Sequence, residues 1–139
     1  MQRLRFLIAW TSIWLLPTST TGSEVAQTQA VVEHCIADLD GDGQQDLAIQ
    51  ISIDTRFEVV ALLRRPGGYQ AHVLSRRVEK LKMHCGVGGE VRETAAGPER
   101  GARRTIVTSG AFVSLKQPEG AALTFVWEGA SFREVWTAD

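Results

Sequence analysis

Beyond residue 30 this chain contains no apolar run that is both long enough and periodic enough to build a helix. It offers short apolar runs separated by turn residues. Residues 31–37 and 47–53 (LAIQISI) flank an acidic stretch, and 57–63 and 69–74 flank Pro66-Gly67-Gly68, a hairpin signal. Residues 78–85 alternate strictly, with Val78, Lys80, Lys82 and His84 opposing Glu79, Leu81, Met83 and Cys85. After a break at 86–89 and a polar loop at 95–104, further runs follow at 105–108, 111–115, 123–127 and 132–136. Strands at this 8–12-residue spacing predict an all-β domain: an antiparallel sandwich or small barrel of about eight short strands.

The acidic stretch is the most specific motif. In Asp38-Leu39-Asp40-Gly41-Asp42-Gly43-Gln44-Gln45-Asp46, carboxylates recur at relative positions 1, 3, 5 and 9. A backbone carbonyl at position 7 (Gln44) supplies another oxygen, and Gly43 at position 6 permits a sharp turn. The expected metal ligands are therefore Asp38, Asp40, Asp42, Gln44 through its backbone, and Asp46. Four aspartates within nine residues repel one another, and a hard cation relieves that repulsion. Ca²⁺ fits better than Mg²⁺, which rarely uses a ring of protein carboxylates. A helical EF-hand needs a bidentate Glu at position 12, where this chain has Ile49 inside an apolar run.

The stretch Ala37-Asp38-Leu39-Asp40-Gly41-Asp42-Gly43-Gln44-Gln45-Asp46-Leu47-Ala48 resembles the calcium loop of FG-GAP and VCBS-type repeats, as in the integrin α-subunit head. The resemblance implies a Ca²⁺-holding loop between two antiparallel strands of a β-propeller blade. It covers about twelve residues. The chain has one such loop, lacks the Phe-Gly and Gly-Ala-Pro signatures, and at 139 residues is too short for a full propeller.

The first residues predict export. Arg3 and Arg5 precede an apolar run at 6–16 (FLIAWTSIWLL), then Pro17 and small polar residues, the order of a secretory signal peptide. A membrane span needs about 20 apolar residues, roughly twice this run. The expected organisation is a signal peptide at 1–22 with cleavage between 22 and 30, a polar lead at 23–30, and a β domain at 31–139. The mature chain then carries no stable membrane span and resides in the periplasm or outside the cell. Without Arg3 and Arg5, 13 basic residues face 16 acidic ones, a net charge of −3. That balance lacks the basic excess of a nucleic-acid binder.

Cys35 and Cys85, an even count in an exported chain, favour a disulfide. Each follows a histidine, but neighbouring strand residues face opposite ways, which argues against joint metal ligation by either pair. His34, His72 and His84 lack any nucleophile or zinc motif around them. Arg64, Arg65, Arg76, Arg77, Lys80 and Lys82 read first as a charged strand edge, and second as a surface for an anionic glycan. Trp127, Phe132 and Trp136 read first as cross-strand core pairs, and second as a sugar-stacking platform.

The sequence therefore predicts an exported, Ca²⁺-stabilised, non-enzymatic binding module with an unidentified protein or glycan partner. The alternative is a hydrolase of envelope or extracellular polymers. Intact-mass measurement on protein from the exporting compartment should show loss of roughly 20–30 N-terminal residues. A full-length mass there overturns the export reading.

Overall fold

The computed structural model describes residues 29–94, 104–118 and 120–138. The predicted export segment, nearly all of the polar lead and most of the 95–104 loop lie outside the described residues. Ten strands follow in order: β1 (Gln29–Ala37), β2 (Asp46–Ile53), β3 (Arg56–Arg65), β4 (Gly68–Arg77), β5 (Lys82–Gly86), β6 (Gly89–Arg92), β7 (Thr105–Thr108), β8 (Phe112–Lys116), β9 (Ala121–Trp127) and β10 (Phe132–Ala138). All pairings are antiparallel. They form one sheet in the order β1-β2-β3-β4, a second in the order β10-β9-β8-β5, and a ribbon of β6 and β7. The fold is all-β, as predicted, and the sheets remain open rather than closing into a barrel.

The two larger sheets pack face to face. Ala48, Val59, Ala61 and Leu63 of the first meet Met83, Val113, Leu115, Leu123 and Phe125 of the second in one buried cluster, with Leu39 and Leu81 entering from loops. Burying each such side chain contributes roughly 1.5–3 kcal/mol before the entropy of ordering is subtracted. Trp127, Phe132 and Trp136 pack against this cluster, which supports their reading as core pairs. The outer face of the second sheet carries a smaller cluster, Val126 and Val135, covered by Val91 of the ribbon.

Alternation along β2 sends Ala48 and Gln50 inward and Leu47, Ile49 and Ile51 outward. Register then aligns Ile36, Leu47 and Leu62 in one cross-strand row and Ile49, Val60 and Val73 in the next. These two rows on the outer face are largely apolar, with His34 beside Ile49 and the Glu58–Arg76 pair next to Ile51, and Ile36 and Val73 are exposed.

Two sequence expectations change. The alternating 78–85 run is not one strand, because β4 ends at Arg77 and β5 begins only at Lys82. The chain must pass there from the end of one sheet to the other, with Glu79 and Lys80 exposed while Leu81 enters the core. The ribbon strand β6 was hidden in Gly89-Glu90-Val91-Arg92, whose single apolar residue leaves no visible alternation.

At one sandwich edge β1 lies against β5, and the Glu33 carboxylate accepts the Met83 N–H at 3.0 Å. Here Cys35 and Cys85 are bonded, with Cα atoms 5.8 Å apart and a sequence separation of 50. The disulfide fastens one sheet to the other. On the chain-entropy model a loop of that length adds up to about 4 kcal/mol. Non-reducing peptide maps should contain the linked pair, and the double variant Cys35→Ala/Cys85→Ala should lose stability up to that bound in urea unfolding. Free-thiol labelling of both positions in native protein contradicts the assignment.

Candidate metal centre

β1 and β2 pair through Ala37 opposite Asp46, so the acidic stretch is the connection of a hairpin. Three anchors fix it. The fully buried Leu39 plugs into the main core. The Asp38 carbonyl accepts the Ala111 N–H at 2.6 Å. Gly110 approaches so closely that a Cβ there would sit 2.5 Å from the Leu39 carbonyl oxygen and 2.7 Å from the Gly41 nitrogen. Any side chain at 110 would push the loop away.

Within the loop, backbone N–H groups turn toward the carboxylates. Asp38 Oδ1 accepts from Gly41 at 2.8 Å and Asp42 at 3.1 Å, while its Oδ2 accepts from Gly43 at 2.9 Å. Asp40 Oδ1 accepts from Asp42 at 3.2 Å. Asp42 accepts the Gln44 N–H at 2.8 Å and its Nε2 at 3.1 Å. Gly43, at φ 85°, makes the turn expected of position 6. One carboxylate oxygen from each of Asp38, Asp40 and Asp42 lies within 4.8 Å of the others. A calcium ion with oxygens at about 2.3–2.6 Å spans about that separation, so the donor set and spacing fit a hard cation.

Asp46 stands apart from that trio. It is 1 % exposed, and both its oxygens serve the backbone: Oδ2 accepts the Leu39 N–H at 2.8 Å and Oδ1 the Arg64 N–H at 2.7 Å. It clamps the loop's first turn to the end of β3. Gln44, expected to contribute a backbone oxygen, uses its N–H and side-chain amide to brace Asp42.

Nothing in the residues around Arg65 announces its role. Its Nη1 lies 2.5 Å from Asp40 Oδ2 and 3.6 Å from Asp42 Oδ2. The Asp40 hydrogen bond, with the nearby charges of Asp40, Asp42 and Asp46, raises the guanidinium pKa above its ordinary value. The protein thus supplies a counter-charge of its own to the loop. Arg65 is the last residue of β3, brought beside the loop by the β2–β3 register. Arg76 likewise pairs with Glu58 at 2.7 Å, so the basic edge read from the sequence is partly neutralised.

The histidines lie elsewhere. His72 forms an aromatic cluster with Trp127 and Phe132, its ring centroid 5.3 and 5.7 Å from theirs. His84 lines a cleft on the outer face of the second sheet, and His34 is exposed on β1. No residue of the 38–46 loop borders the clefts that His72 and His84 line. No protein-family model, curated protein or solved structure matches the chain.

The clamp yields a test. Asp46→Asn keeps one acceptor oxygen and leaves the other buried N–H facing an amide NH₂, at a cost of about 1–3 kcal/mol. Urea unfolding should show that loss equally in chelator and in Ca²⁺. A loss confined to Ca²⁺ would instead make Asp46 an ion ligand.

Proposed function

We propose that this protein is an exported β-sandwich module whose 38–46 loop holds Ca²⁺ as a structural ion, and that it works by binding rather than by catalysis. The observation that carries the reading is the convergence of Asp38, Asp40 and Asp42 oxygens within 4.8 Å on a loop anchored by Leu39 and Asp46. The likeness of this loop to FG-GAP and VCBS-type repeats agrees with it, as does the first sheet, a four-stranded antiparallel meander like a propeller blade. The disulfide is compatible with an oxidising compartment. No helix among the described residues is long and apolar enough to cross a membrane.

The ion's role is electrostatic. Bound Ca²⁺ offsets the mutual repulsion of three carboxylates and ties the loop to itself. Asp38, Asp40 and Asp42 would hold the ion, with the Gln44 carbonyl as a further ligand. Arg65 competes, because Asp40 cannot give its Oδ2 fully to both cations. That competition places the dissociation constant toward the weak end of calcium loops, about 10⁻⁵ to 10⁻³ M. The hydrolase reading gains no observation, since the loop and the histidine-lined clefts are separate.

Thermal melting with chelator and with millimolar Ca²⁺ tests the proposal. Free ion at a hundredfold excess over its dissociation constant should stabilise the fold by about 2.7 kcal/mol. Asp40→Ala and Asp42→Ala should each remove most of that rise, every variant being compared with itself. Asp54→Asn, in the β2–β3 turn at φ 53° where Asn is tolerated, should keep it. Identical wild-type melting in both conditions reduces the loop to an acidic turn.

A further inference from the structure

The outer face of the second sheet carries a cleft of about 550 Å³ beside the β6–β7 ribbon. Ser114, Thr124 and Thr137 line it, along with Phe112, Ala122 and Val91, and His84, Glu90 and Arg92 complete its lining. Register places His84, Ser114 and Thr124 side by side on three neighbouring strands. Val113, Leu115, Leu123 and Phe125 point into the sandwich, so the alternating Ser114 and Thr124 point the other way, into the cleft. Both are at most 2 % exposed.

The three hydroxyls form one hydrogen-bonded row. Ser114 Oγ lies 3.1 Å from Thr124 Oγ1, which lies 2.9 Å from Thr137 Oγ1, and Thr137 donates to the Ala122 carbonyl at 3.4 Å. Each hydroxyl has one hydrogen. Within the Ser114–Thr124 and Thr124–Thr137 pairs either oxygen can donate, so the row can order its hydrogens in either direction and keeps unused lone pairs. The floor therefore offers hydroxyls that can accept or donate, with the Glu90 carboxylate as an acceptor and the Arg92 guanidinium as a donor beside it.

Phe112 supplies an apolar wall. A Cβ at Gly86, its cross-strand partner, would collide with the Phe112 ring, so the ring lies directly over the glycine backbone. Arg92 stands 3.7 Å from Glu90, leaving a rim of mixed charge that favours neither a cation nor an anion. A hydroxyl floor, one aromatic wall and a balanced rim match a neutral ring bearing hydroxyls and apolar C–H faces. We infer that this cleft binds a neutral sugar residue, as part of a glycan or free. The inference names a ligand for the proposed binding module and rests on that reading, but not on the calcium loop.

The test is an amide-resolved NMR titration of the disulfide-bonded protein. The probes are glucose, galactose, N-acetylglucosamine and their β-1,4-linked dimers, with glucuronate and glucose 6-phosphate as charged counterparts. At least one neutral sugar should shift the amides of residues 84, 90–92, 114, 122–124 and 137 together. Thr124→Val, which keeps the shape and removes the hydroxyl, should weaken that binding about tenfold without changing the melting temperature by more than a few degrees. If Thr124→Val does not fold, Glu90→Gln on the exposed rim is read instead, with severalfold weakening expected. Absence of a response to every neutral sugar at tens of millimolar overturns the inference. So does a response to the charged probes alone, or binding unchanged in the readable variant. Each titration is run in chelator and in Ca²⁺: a calcium-independent response leaves the sugar site standing if the melting test fails, and a negative titration leaves the calcium result untouched.

Discussion

The Asp46 carboxylate, buried at the first residue of β2, is the contact on which the acidic loop depends. One oxygen holds the N–H of Leu39 and the other that of Arg64. Buried N–H groups left unpaired are costly, so this carboxylate lets the chain turn at residue 39 inside the protein. Leu39 can then plug the core while Asp38, Asp40 and Asp42 face one another at the surface end. The same contact fixes the end of β3, and with it Arg65, against the loop. Loop, core plug and counter-charge are thus set by one side chain that only accepts hydrogen bonds.

The remainder of the fold solves a different problem. Two four-stranded sheets, each with an interior face, need fastening at their open edges, since hydrogen bonds do not close them into a barrel. At the β1–β5 edge the Cys35–Cys85 bond and the Glu33 contact to Met83 do this. At the opposite edge β4 lies against β10, where His72, Trp127 and Phe132 interlock edge to face. Aromatic pairs of this kind contribute about 0.5–1.5 kcal/mol beyond the area they bury. The outward faces differ: that of the first sheet carries largely apolar rows beside the Glu58–Arg76 pair, whereas that of the second combines a small apolar cluster with a row of hydroxyls.

Arg65 changes how the acidic loop is understood. Repulsion among the aspartates, taken alone, calls for an external ion. With a guanidinium beside Asp40 and Asp42, the loop has a partial counter-charge within the chain. A divalent ion gains only the difference between its own attraction and the one it displaces, and exposed ion pairs are individually weak. A loop arranged in this way depends less on an external cation than its aspartates alone imply.

Much of this was written locally. Short alternating runs and turn residues specify strands because side chains alternate every residue, and that period is visible without knowing any partner. The acidic loop was legible for the same reason, its ligand spacing lying within nine consecutive residues, and the even cysteine count in an export context suggested the bridge. What the tertiary structure alone decided depends on register and packing between distant segments. Nothing near Arg65 in sequence says that β3 will end beside Asp40, or that Asp46 will turn inward to Leu39 and Arg64 rather than join the trio. Ser114, Thr124 and Thr137 are unremarkable residues in three separate strands. Only antiparallel pairing aligns them into one row of hydroxyls, because each strand's own pattern fixes which face a side chain takes but not which side chain it meets there.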